Sequence, residues 1–145
     1  MLKFALINFD TTYFTELGIV DGVLVWKTKS EDDLGLHYFA KPPDIDASLD
    51  DKEAVRCFYR RFALDSGLGV VEIKVVKFND LPVIRKIFKI PQNRDGTGTM
   101  YIGSIALPFR DFTYIIIVKC LEHGITGMRE ALVSAQLLKF NHDNL

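Results

Sequence analysis

The chain has 145 residues, 48% of them hydrophobic and 26% charged, enough for one globular domain, residues 1–145, that buries about two thirds of its unfolded surface. A net charge of -1 and a pI near 6.3 leave no overall field to attract a nucleic-acid backbone or an acidic membrane, so neither is expected as a partner. No run of about 18 apolar residues exists to span a bilayer, and Asn8 and Asp10 interrupt the short apolar run after Lys3, so a soluble, cytoplasmic protein is expected. Cys57 and Cys120 show neither a disulfide framework nor a CxxC metal spacing, and both are expected to behave as small buried apolar groups.

In chain order, Lys3 to Phe9 reads as a strand, followed by strands over Gly22-Val-Leu-Val-Trp-Lys-Thr28 and Leu34-Gly-Leu-His-Tyr-Phe-Ala40, the last two joined by the polar turn Ser30-Glu-Asp-Asp33. Lys41-Pro-Pro-Asp44 stops the sheet, because proline brings no amide to a ladder. A helix follows, with Asp50 as its cap, Glu53 in a capping box, a stripe of Val55, Phe58 and Phe62, and Gly67 as its stop. Gly69 to Phe78 and Val83 to Ile90 are strands divided by Asn79-Asp-Leu-Pro82. Thr99 to Leu107 and Phe112 to Leu121 then form a hairpin about Pro108-Phe-Arg-Asp111. Its second strand carries apolar side chains on both faces (Tyr114, Ile116, Val118; Ile115, Ile117, Leu121) and belongs at the centre of a sheet covered above and below. After Gly124 the period changes to that of a helix, with Met128, Ala131, Leu132, Ala135 and Leu138 on one stripe. The expected class is α+β, a largely antiparallel sheet of six to seven strands packed by two helices. Without strand-helix alternation, a doubly wound nucleotide fold is disfavoured.

Candidate chemistry is sparse, and no catalytic residue, metal site or cofactor is expected. Cys120, Glu122 and His123 cannot form a local triad, because in a continuing strand His123 points away from the other two. Asp44-Ile-Asp46-Ala-Ser48-Leu-Asp50 begins like a calcium loop, but Leu49 and Val55 stand where an EF-hand needs glycine and glutamate. Asp95-Gly-Thr-Gly-Thr99 precedes a strand and opens no helix toward an anion. Gly103-Ser104-Ile105 lacks the frame of a nucleophile elbow. Two polar clusters remain. Arg56 and Arg60 lie one turn apart as a basic ridge, read either as a solvated face with Arg61 paired to Asp65 or as a docking surface for an acidic partner. The second is the turn holding Glu122, His123, Thr126, Arg129 and Glu130, where Arg129 opposes the positive end of a helix dipole and needs a carboxylate, Glu122 or Glu130, beside it.

Tyr101-Ile-Gly-Ser104, Leu107-Pro-Phe109 and above all Cys120-Leu-Glu-His-Gly-Ile-Thr-Gly-Met-Arg-Glu-Ala131 resemble blocks of a group of uncharacterised bacterial proteins. Gly22-Val-Leu-Val-Trp26, Asp33-Leu-Gly-Leu36, Pro43-Asp44 and Tyr59-Arg60 are similar to its earlier blocks. No activity comes with that likeness. The order of elements is also similar to the Mog1/PsbP-like fold, an α/β/α sandwich with an antiparallel sheet between helices. Mog1-like proteins bind a small GTPase and PsbP-like proteins stabilise photosystem II, but no motif here carries over either partner. The resemblance implies a binding or scaffold role in general terms.

Three functions are consistent with these observations. One is a non-enzymatic domain that binds a protein partner through the Gly124 to Glu130 turn and the Arg56/Arg60 ridge. Another is an enzyme with a composite pocket of Glu122, Arg129 and His37 or His123. The third is an immunity or antitoxin protein that occupies another protein's site. A homodimer through the terminal helix or an edge strand is open as well.

Overall fold

Asp21 and Gly22 both have positive φ, 51° and 81°, the backbone that a two-residue hairpin turn needs to match strand twist. They join β1 (Thr15–Val20) to β2 (Val23–Lys27), and a polar reversal, closed by the Thr28 amide donating to the Asp32 carbonyl at 3.0 Å, leads into β3 (Asp33–Phe39). Then come α1 (Lys52–Asp65) and four consecutive strands, β4 (Gly69–Phe78), β5 (Leu81–Pro91), β6 (Thr99–Pro108) and β7 (Thr113–Leu121). The structure is a computed structural model that describes residues 2–45, 47–91 and 98–121.

All seven strands lie in one sheet of order β1-β2-β3-β7-β6-β5-β4, and every neighbouring pair is antiparallel. The class is α+β: two meanders, β1 to β3 and β4 to β7, meet where β3 pairs with β7. β7 is thus the middle strand, as its two apolar faces imply. Ile116 is 2% exposed and sits between Leu36 of β3 and Ile105 of β6. Alternation along β7 divides its residues between two clusters. Tyr114, Ile116, Val118 and Cys120 join Trp26, Leu34, Leu36, Ile87, Tyr101 and Ile105 on one face. Ile115 turns to the other face, where Val55, Tyr59 and Ala63 of α1 pack on Ile73, Ile84, Phe88 and Ala106.

Several local expectations are corrected. Lys3 to Phe9 is no strand: Leu2–Phe4 forms a 3-10 turn and the segment leaves the sheet. Its apolar residues Phe4, Ile7 and Phe9 pack onto the sheet's first cluster instead, and the Tyr114 hydroxyl donates to the Lys3 carbonyl. The strand at that end is β1, which the sequence reading passes over. α1 is capped by Asp51, whose carboxylate accepts from the Ala54 amide at 3.0 Å; Glu53 does not close a box but pairs with Arg56. The buried line on α1 is Val55, Tyr59 and Ala63, while Phe62 is 47% exposed. An i, i+4, i+8 line meets the sheet, and small Ala63 lets the helix approach it. Asn79 and Asp80, with φ of 46° and 64°, form a tighter turn than expected, so β5 begins at Leu81. Cys57 is exposed, whereas Cys120 is buried as expected, and neither is in a disulfide.

The expected terminal helix lies outside the described residues. Among those described, no helix is long and apolar enough to cross a membrane.

Candidate functional site

Among the described residues, α1 covers only part of its side of the sheet. Its buried line reaches β4, β5 and β6, but the same face continues across β7, β3 and β2, because the register sets Ala106, Ile115 and His37 in one row and Ile117, Gly35 and Val25 in the next. There Val23, Val25, His37 and Ile117 are half-buried and Phe39 is exposed. Gly35 is what packs this surface: a Cβ on it would stand 3.2 Å from Val23 Cγ1 and 3.3 Å from His37 Nε2. Burial, helped by the Lys119 charge, lowers the His37 pKa, which favours a neutral imidazole.

Where α1 ends its cover, a cleft opens. It is a cavity of about 230 Å³ between the loop from Lys41 to Ile45, Tyr59 of α1, and a floor of Ala106, Thr113 and Ile115. The Lys41-Pro42-Pro43 break that ends β3 forms this rim, and the Thr113 hydroxyl pins it by donating to the Lys41 carbonyl at 2.9 Å. Tyr59 is 8% exposed, and burial pushes its phenol up to about 12, so the hydroxyl stays a donor at ordinary pH. Phe58 and Phe62 set their rings edge-on to Tyr59. The ammonium of Lys86 lies 4.0 Å from the centre of the Tyr59 ring. Lys86 occupies a sheet position on the α1 side between Ile73 and Ser104, and burial brings its pKa down to about 8. Among the described residues no carboxylate lies within 4.0 Å of it.

Of the residues singled out from sequence, Arg56 and Arg60 are both on α1. Arg56 is engaged: it pairs with Glu53 and its Nε donates to the Ile73 carbonyl of edge strand β4 at 3.4 Å. Arg60 is exposed, and Arg61 and Asp65 do not come within ion-pair distance. Glu122, His123, Thr126, Arg129 and Glu130 lie outside the described residues. His37 is on the open sheet face, stacked over Phe39. Among the described residues no group of three His, Cys, Asp or Glu side chains could hold a metal ion. Sequence reasoning missed Tyr59 and Lys86. Lys86 was the visible signal, a lysine in the row Ile84, Phe88 and Ile90 that alternation assigns to a covered face.

The solution structure of cyanobacterial PsbP (CyanoP) from Synechocystis sp. PCC 6803 is similar to this chain with a TM-score of 0.54 at 10% sequence identity, over 88% of this chain and 81% of that one. The chain has a Mog1/PsbP-like fold. At that identity the likeness extends to the fold alone. No family model and no curated protein matches the chain. In this PsbP-like sheet the cleft therefore has to be read from its own residues.

Proposed function

We propose that the chain is a non-enzymatic protein-binding or scaffold domain that docks its partner on the α1 side of the sheet. One observation carries this reading: among the described residues α1 covers β4 to β6 only, and half-buried Val23, Val25 and Ile117 with exposed Phe39 form an apolar surface beside a cleft. A contiguous apolar patch rimmed by charge is the usual form of an interaction surface. Lys27, Lys41 and Lys119 supply that rim, with Lys27 also held by Glu31 and Asp33. Arg56, which bonds the β4 edge, exposed Arg60 one turn on, and the Glu122, His123, Thr126, Arg129 and Glu130 turn join the proposed surface on sequence grounds. An exposed free thiol at Cys57 suits a reducing compartment, which supports a cytoplasmic location.

The test is capture of a partner, followed by affinity measurements for Ile117→Lys, Arg60→Ala and Arg129→Ala. Ile117→Lys places a charge in the patch and is expected to weaken binding at least tenfold. Undiminished affinity with all three changed rules the surface out. Light scattering on the same preparation reads whether the partner is a second copy, for which edge strand β1, with Leu17, Ile19 and Val20 exposed, offers unpaired backbone.

A further inference from the structure

We propose that the cleft beside Tyr59 binds a small carboxylate with an apolar body, a molecule the size of benzoate. The volume is the first argument. About 230 Å³ lies below the roughly 300–1,000 Å³ of ordinary small-molecule sites, so a single ring or short branched chain fills it. The walls are the second: Pro42, Pro43, Ile45, Ala106 and Ile115 are apolar and suit a body without polar atoms.

The polar groups decide the head. As a residue Tyr59 is more than nine-tenths buried and lines the cavity; its hydroxyl keeps access to solvent and has no hydrogen-bond partner among the described residues. Tyr114 shows the contrast, its hydroxyl being satisfied by the Lys3 carbonyl. A phenol that stays protonated at a cavity wall can donate to an acceptor that enters the cavity. Thr113 cannot serve as the donor, since its hydroxyl is committed to Lys41. The charge of the acceptor follows from Lys86. Its ammonium rests against the ring of Tyr59 and has no ion-pair partner among the described residues, so a positive charge sits behind the wall that bears the donor. Lys41 and Asp44 at the rim bring one charge of each sign and leave Lys86 as the net field. An anionic acceptor on Tyr59 answers both the open hydroxyl and the uncompensated cation.

Benzoate and neutral benzamide, titrated into the full chain by NMR with a calorimetric parallel, separate the outcomes. Benzoate is expected to shift the Ala106 and Ile115 methyl resonances saturably and to bind at least tenfold more tightly than benzamide. Tyr59→Phe and Lys86→Met should each weaken benzoate several-fold while leaving benzamide nearly unchanged. Because an anion nearby raises the pKa of Lys86, binding at pH 9 should take up a proton, visible as a dependence of the heat on buffer. No saturable shift at millimolar benzoate, equal affinity for the two probes, or variants that bind as wild type would each overturn the proposal. Should Lys86→Met not fold, the benzoate-to-benzamide ratio on wild type still decides.

Discussion

Lys86→Met should make this protein more stable at neutral pH, and the gain should vanish as the solution becomes alkaline. Lys86 titrates near 8 in the folded chain against an ordinary 10.5, because burial disfavours its charge. Below pH 8 both folded and unfolded chains hold the proton, and the folded state bears the full cost of a charged amine among Ile73, Ile84 and Phe88. Between pH 8 and 10.5 the unfolded chain binds more protons than the folded one, so stability rises with pH across that window. At roughly 1.4 kcal/mol per unit, the 2.5-unit difference is worth about 3 kcal/mol. The cation-π contact with Tyr59 offsets part of what methionine gains. A stabilisation of about 2 kcal/mol at pH 7 is therefore expected, falling toward zero by pH 10.5. Urea unfolding of both proteins at half-unit steps from pH 7 to 10.5 reads it directly, since other groups cancel in the difference. A difference that is flat with pH, or a destabilised variant at pH 7, refutes the burial of a charged lysine beneath α1.

Ile116→Ala removes the side chain wedged between Leu36 and Ile105 in the middle strand and should cost about 2–5 kcal/mol by chemical denaturation. Phe62→Ala, on the outer side of α1, should cost less than half as much; equal losses would contradict the assigned helix face. On the opposite side of the sheet, Arg85 is buried and paired with Glu72. Glu72→Gln should cost about 3 kcal/mol by stranding a buried guanidinium, whereas Glu72→Gln with Arg85→Met should recover most of that loss in the same unfolding assay.

β2 to β7 were legible because each keeps an apolar pattern for five or more residues between turn residues, and the central place of β7 followed from its having apolar side chains on both faces. Lys3 to Phe9 has a strand's composition but no partner to pair with, and only its packing under Tyr114 shows that it plugs a face. β1 carries Leu17, Ile19 and Val20 in the open at an edge, so burial could not announce it; the Asp21-Gly22 turn could have. On α1, Phe58 and Phe62 outweighed Tyr59 by hydrophobicity and Ala63 by size, although a sheet accepts a helix along the line of closest approach.

Site legibility followed the same division. Arg56 and Arg60 were found as exposed charges one turn apart, which is a local property of a helix, but that Arg56 bonds the β4 edge depends on how α1 is docked. Tyr59, Ala106 and Ile115 meet only because β6 and β7 run side by side at the border of the cover that α1 provides, and no spacing along the chain contains that fact.

By itself the amino-acid order determined most of the element types, many of their limits and the innermost strand, since period, turn chemistry and hydrophobic content act over a few residues. Strand order, the face that α1 leaves open, the cleft and the burial of Lys86 were decided by the tertiary structure. Each depends on contacts between segments far apart in the chain, whose energies come from shared burial and appear only once the sheet has closed around β7.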